Sequence, residues 1–138
     1  MSSVKHIAGF ESPNVVSQPI SAKAMSASKE RGGSALGLES LSDVPLQVSL
    51  LTFGWSHAED DTAMYKFARR FRARSEAAAK EAGLWNRYLY INYCMEDADP
   101  FGGYGEENKK KLQRIQREVD EAGIFRADGL NRGNFKLN

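Results

Sequence analysis

A single cysteine, two histidines, no long apolar run and almost no net charge set the first limits on this chain of 138 residues. With Cys94 alone, an internal disulfide and a cysteine-based metal cluster are both excluded, and no metal site is expected. His6 and His57 form no HExxH or Cys–His spacing, and GxGxxG, Walker and GxSxG patterns are missing as well. Metal, nucleotide and triad chemistry therefore have no motif to rest on. The 19 basic and 18 acidic residues leave a formal net charge of +1, so no overall field attracts nucleic acid or an anionic membrane. No stretch approaches the roughly 18 apolar residues of a membrane span, and Met1–Phe10 has no apolar signal core. These absences point to a cytoplasmic protein with neither nucleic-acid nor membrane partners.

What is present suits one ordinary domain, since 41% of residues are hydrophobic. Residues 1–14 read as a flexible arm ahead of a domain spanning 15–138. Val15 and Val16 before Pro19 predict an edge strand, because proline cannot donate to a central ladder. The mix of Ala22, Ala24, Met25 and Ala27 with Lys and Ser predicts a short helix over 21–30, stopped by Arg31-Gly32-Gly33. A Gly-rich loop to Pro45 and a central strand Leu46–Trp55 follow. Ser56 with Glu59 reads as a capping box opening the longest helix, whose apolar face carries Met64, Phe67, Ala68 and Phe71 and which ends at Gly83. Its arginines are interspersed with acids and read as a solvated face. A last helix runs from Glu106 to about Glu121, with Leu112, Ile115 and Val119 as a narrow apolar stripe. The order is that of an α+β protein: an antiparallel or mixed sheet with helices packed on one face, compatible with a ferredoxin-like half-sandwich.

The candidate site centres on Tyr88–Cys94, where alternation predicts a strand with Leu89, Ile91 and Tyr93 on one face and Tyr88, Tyr90, Asn92 and Cys94 on the other. A face of phenols and an amide can donate, accept and orient, as an active-site floor must; the same composition also suits a strand packed as core. Tyr90, Asn92 and His57 are the candidate catalytic groups, with His57 expected in the first turn of the long helix. Phe53, Trp55, Tyr88, Tyr93 and Tyr104 are the candidate substrate-binding wall. Glu96, Asp97 and Asp99 are candidate acids, because partial burial would raise a carboxyl pKa there; an acidic turn before Pro100 is the simpler account of any one of them.

Tyr90-Ile-Asn-Tyr93, the acidic loop and Tyr104-Gly-Glu-Glu-Asn108 opening a helix together resemble the C-terminal end of the berberine-bridge-enzyme-like FAD-linked oxidases, in particular the fungal ones. Gly32-Gly-Ser-Ala-Leu-Gly-Leu38 and Val48–Asp61 extend the resemblance, which covers roughly residues 15–138. The local departure is Asp120-Glu121, where the family has Asp-Pro. In that family the FAD-binding portion lies N-terminal to the stretch matched here. The resemblance therefore implies a fold and a pocket wall, with no cofactor expected of these residues.

Two functions of different class follow. One is a flavin-independent enzyme of cyclase or isomerase type, folding a polyketide- or terpene-like hydrophobic intermediate of fungal secondary metabolism by conformational restriction and a few hydrogen bonds. The other is a non-catalytic binding module, or a subunit completing a separately encoded FAD-dependent oxidoreductase. Either way the surface that a flavin portion covers in the longer relatives predicts association, as a homodimer.

Overall fold

The computed structural model describes residues 11–41, 43–125 and 137. Strands β1 (Glu11–Ile20) and β2 (Leu46–Gly54) form a two-stranded antiparallel ribbon, and helices α1 (Ala22–Glu30), α2 (Asp61–Glu81), α3 (Pro100–Gly103) and α4 (Glu106–Val119) complete an α+β architecture. The chain divides into two compact units, one built around Ser49–Asn86 and the other from Gln18–Val48 with the chain from Arg87 onward. Both strands have residues in each.

In the first unit, α2 forms where the apolar spacing predicts it. Met64 is fully buried, and Phe67 meets Phe53 edge-on with ring centroids 5.4 Å apart. The start differs from expectation. His57 O accepts the Asp60 N–H at 3.0 Å, closing a 3₁₀ turn over Ala58–Asp60 before the α-helix begins at Asp61. Asp60 therefore occupies the N-cap of α2, the place expected for Ser56, and makes no side-chain cap bond. The end is a glycine stop: Gly83 has φ 68°, and the Leu84 N–H reaches back to Ala79 O at 2.8 Å.

In the second unit, Ser21 caps α1 by accepting the Ala24 N–H at 3.1 Å, and Met25 is buried beneath the helix. Leu38, from the Gly-rich loop, Pro100, and Tyr104, just before α4, are also buried in this unit.

Three expectations change. The strand expected from Val15 starts at Glu11. Leu46–Trp55 was expected to be central, yet among the described residues β2 has one partner, β1, and no residue of it is fully buried. Tyr88–Cys94 is not a strand. The chain is irregular to Tyr90 and then winds into a 3₁₀ turn over Ile91–Tyr93, closed by the Tyr93 N–H on Tyr90 O at 3.0 Å. The two-faced alternation read from the sequence therefore does not exist here. Local bonds replace ladder bonds: Cys94 Sγ donates to Tyr90 O at 3.3 Å, and Asn92 Nδ2 to the Tyr90 hydroxyl at 3.0 Å.

Candidate functional site

The second unit gathers most of the expected site residues, though by turns and not by a sheet. Pro100, buried at the first position of α3, and Asp99, whose carboxylate accepts the Gly102 N–H at 2.9 Å, fix the short helix that delivers Tyr104. Tyr104 is 5% exposed and stacks on Tyr88 at 6.1 Å with an interplanar angle of 24°. Phe101 meets Tyr104 edge-on at 5.8 Å. Beside this pair, Tyr90 and Tyr93 form a T-shaped contact at 4.7 Å, and Gln18 Nε2 donates to the Tyr93 hydroxyl at 3.4 Å.

Burial raises the pKa of both Tyr88 and Tyr104 above the ordinary phenol value, and neighbouring groups add to it: Tyr90 and Cys94 around Tyr88, Tyr88 and Cys94 around Tyr104. Both phenols are thus held neutral, able to donate a hydrogen bond to an oxygen that gains negative charge.

An open cavity of about 420 Å³ lies in the same unit. It is lined by the loop residues Ser34, Gly37, Glu39 and Ser40, by Arg87 and by the Tyr104–Asn108 segment. The loop sits tightly on α4's entrance. Gly37 has φ 73°, and a Cβ there would run into the Tyr104 carbonyl, while Asn108 Nδ2 donates to that same carbonyl at 3.0 Å. Gly105, φ 94°, lets the Arg87 guanidinium approach where a Cβ would collide with it. Burial works to raise the Glu39 pKa, but hydrogen bonds from Ser34, Ser28 and backbone N–H groups outweigh it, so the carboxylate stays ionised below the usual range. Ser28 Oγ donates to Glu39 Oε1 at 2.9 Å.

Of the expected residues, Tyr88, Tyr90, Asn92, Tyr93 and Tyr104 fall in this unit, and Phe53, Trp55 and His57 in the other. There, Trp55 packs edge-on against Tyr65 at 5.7 Å and its Nε1–H donates to Asp61 Oδ1 at 2.6 Å. His57 is exposed, at the N-cap of the 3₁₀ turn and not in the first turn of α2. Asp99 acts as a helix cap, and Glu96 and Asp97 are exposed. Sequence reasoning left Arg87, Glu39 and Asn108 out of the site. The one signal for them was the glycine at 37, set between Leu36 and Leu38, because a lone glycine between bulky residues marks a left-handed turn or a close backbone approach. Among the described residues, no group of three His, Cys, Asp or Glu side chains is placed to hold a metal ion, and no helix is long and apolar enough to cross a membrane.

Comparison with known proteins places these features in a larger context. The chain is 36% identical over 110 residues to the FAD-dependent monooxygenase sdcF of Emericella nidulans, covering 80% of this chain and 22% of that protein. It is 36% identical over 121 residues to the FAD-dependent monooxygenase tpcD of Cochliobolus heterostrophus, covering 88% and 23%. A third match, 35% over 94 residues, is to the oligopeptidase PhomG' of Diaporthe leptostromiformis, of which it covers 8%. No protein-family model matches the chain, and no solved structure does. The chain thus spans less than a quarter of the length of the FAD-dependent monooxygenases it matches, and it is homologous to that part of them.

The charged groups that line the cavity are the carboxylates of Glu39, Glu106 and Glu107 and the guanidinium of Arg87.

Proposed function

We propose that this chain is the substrate-side portion of an FAD-dependent oxidoreductase, acting with a flavin-binding portion that other residues provide. The observation that carries this reading is the 36% identity to two proteins named FAD-dependent monooxygenases, over 80% and 88% of this chain. The geometry is in keeping with it. A cluster of neutral phenols, Tyr88 and Tyr104 with Tyr90 beside them, offers donors to a hydrophobic substrate that carries oxygen functions, while Asn92 orients the Tyr90 hydroxyl. The substrate class is a polyketide- or terpene-like intermediate of fungal secondary metabolism. Flavin chemistry would be supplied by the bound cofactor; these residues bind and orient the substrate and exclude water.

The experiment is co-expression of this chain with the remainder of the Emericella nidulans relative, followed by oxygen uptake against a panel of aromatic polyketides and terpenes. A yellow complex that consumes oxygen with one of these substrates, when neither part does so separately, is the expected result. Conversion of a substrate by this chain without flavin, at a rate unchanged in the complex, would overturn it in favour of a cofactor-free cyclase or isomerase.

A further inference from the structure

Helix α4 is amphipathic, yet none of its side chains is fully buried. Its polar side carries ion pairs one turn apart, Lys110 with Glu106 at 3.6 Å and Arg114 with Glu118 at 3.8 Å. The apolar stripe is not covered in the same way. Leu112 is half-buried, but Ile115 is 38% and Val119 78% exposed.

Immediately beyond the helix the chain is held in a fixed turn. Asp120, 7% exposed, accepts the Ile124 N–H at 2.7 Å on one carboxylate oxygen and the Phe125 N–H at 3.0 Å on the other. Charge-assisted bonds to two consecutive amides set the backbone of the turn. The residues so held are apolar and open to solvent, Ile124 at 52% and Phe125 at 60%. Water does not favour ordering large apolar side chains outside a core, whereas a partner does, because prior ordering lowers the entropic cost of binding.

We infer that Ile115, Val119, Ile124 and Phe125 form the surface on which the flavin-binding portion docks, an inference that rests on the function proposed above. The occupant follows from lengths and chemistry. More than three-quarters of the Emericella nidulans relative lies outside the stretch matched here. In that relative the matched stretch and the remainder belong to one polypeptide, so the remainder meets the corresponding surface at an effective concentration that a second copy cannot reach. Four uncharged side chains call for an apolar face opposite, and not for a polyanion.

The test uses the full chain co-expressed with the tagged remainder of that relative. Capture of the wild-type chain, and at least tenfold less of the Val119→Gln, Phe125→Gln double variant with helix content unchanged by circular dichroism, is expected. Asp120→Asn, which leaves all four apolar residues in place, should also lower capture by loosening the turn. Equal capture of wild type and double variant would overturn the docking surface while leaving the flavoenzyme reading intact. If the wild-type chain is not captured, both fail. Light scattering that shows wild-type dimers, lost in the double variant, with hetero-complex unaffected, would assign the surface to a second copy and overturn the inference.

Discussion

The side-chain amide of Asn92 donates to the Tyr90 hydroxyl at 3.0 Å, so the phenol oxygen is an acceptor on that side and its own proton points elsewhere. This makes Tyr90 an oriented donor in a segment held by turns. Because the pair is solvent-accessible, Tyr90→Phe should cost less than about 1.5 kcal/mol of stability. Turnover of the reconstituted oxidoreductase should fall about ten- to a thousand-fold if the phenol donates to charge developing in the transition state. Thermal melting and steady-state rates measured on the same preparation separate the two. A variant that loses several kcal/mol but turns over normally would make Tyr90 a packing residue.

Gly37 and Gly32 both have positive φ, 73° and 96°, but only Gly37 faces neighbours that a methyl would strike. Gly32→Ala should show the backbone cost alone, about 1–2 kcal/mol. Gly37→Ala should cost about 1–3 kcal/mol more, because the Tyr104 carbonyl must move and with it the bond from Asn108. Urea denaturation of the two variants side by side checks this, and equal midpoints would contradict the close approach.

Acid should reveal Glu39. Its folded pKa is lowered from the ordinary 4.5, so the folded state binds fewer protons than the unfolded one. The stability it contributes is present above pH 4.5 and is lost as pH falls through the lower folded value. Glu39→Gln should therefore flatten the fall in urea midpoint below that pH, and Ser28→Ala, by removing a 2.9 Å donor, should shift the fall upward in pH. An unchanged profile in Glu39→Gln would mean that another group carries the transition.

Met64 and Leu84 lie in the same unit at opposite extremes, 0% and 80% exposed. Met64→Ala should destabilise by about 2–5 kcal/mol through transfer and cavity terms. Leu84→Ala should stay within about 0.5 kcal/mol. Near-equal costs by chemical denaturation would show that α2 is not anchored through Met64.

Helices were the legible part of this chain. The 3.6-residue spacing of Met64, Phe67 and Phe71, the stripe of Leu112, Ile115 and Val119, the Arg31-Gly32-Gly33 stop and the glycine at 83 located α1, α2 and α4 to within a few residues, because periodicity and helix stops are local properties. The Tyr88–Cys94 segment was misread for a related reason. A period of two reports alternating side chains, and it is blind to whether a neighbouring strand exists to pair with them. Tyr88, Tyr90, Asn92, Tyr93 and Tyr104, which the sequence singles out, fall in one unit, whereas the cavity lined by Arg87, Glu39 and Asn108 left little sign in the sequence, because it is closed by the Gly37–Tyr104 approach. Such a contact, 67 residues apart in sequence, leaves only a glycine as its trace.

Among the described residues the buried apolar side chains are few: Met25, Leu38, Met64, Pro100 and Tyr104. A margin set by so few groups leaves the unfolded population sensitive to a change of one or two kcal/mol, and in a cell that population feeds the proteases. Sequence change in this chain is therefore expected to register first as altered steady-state abundance.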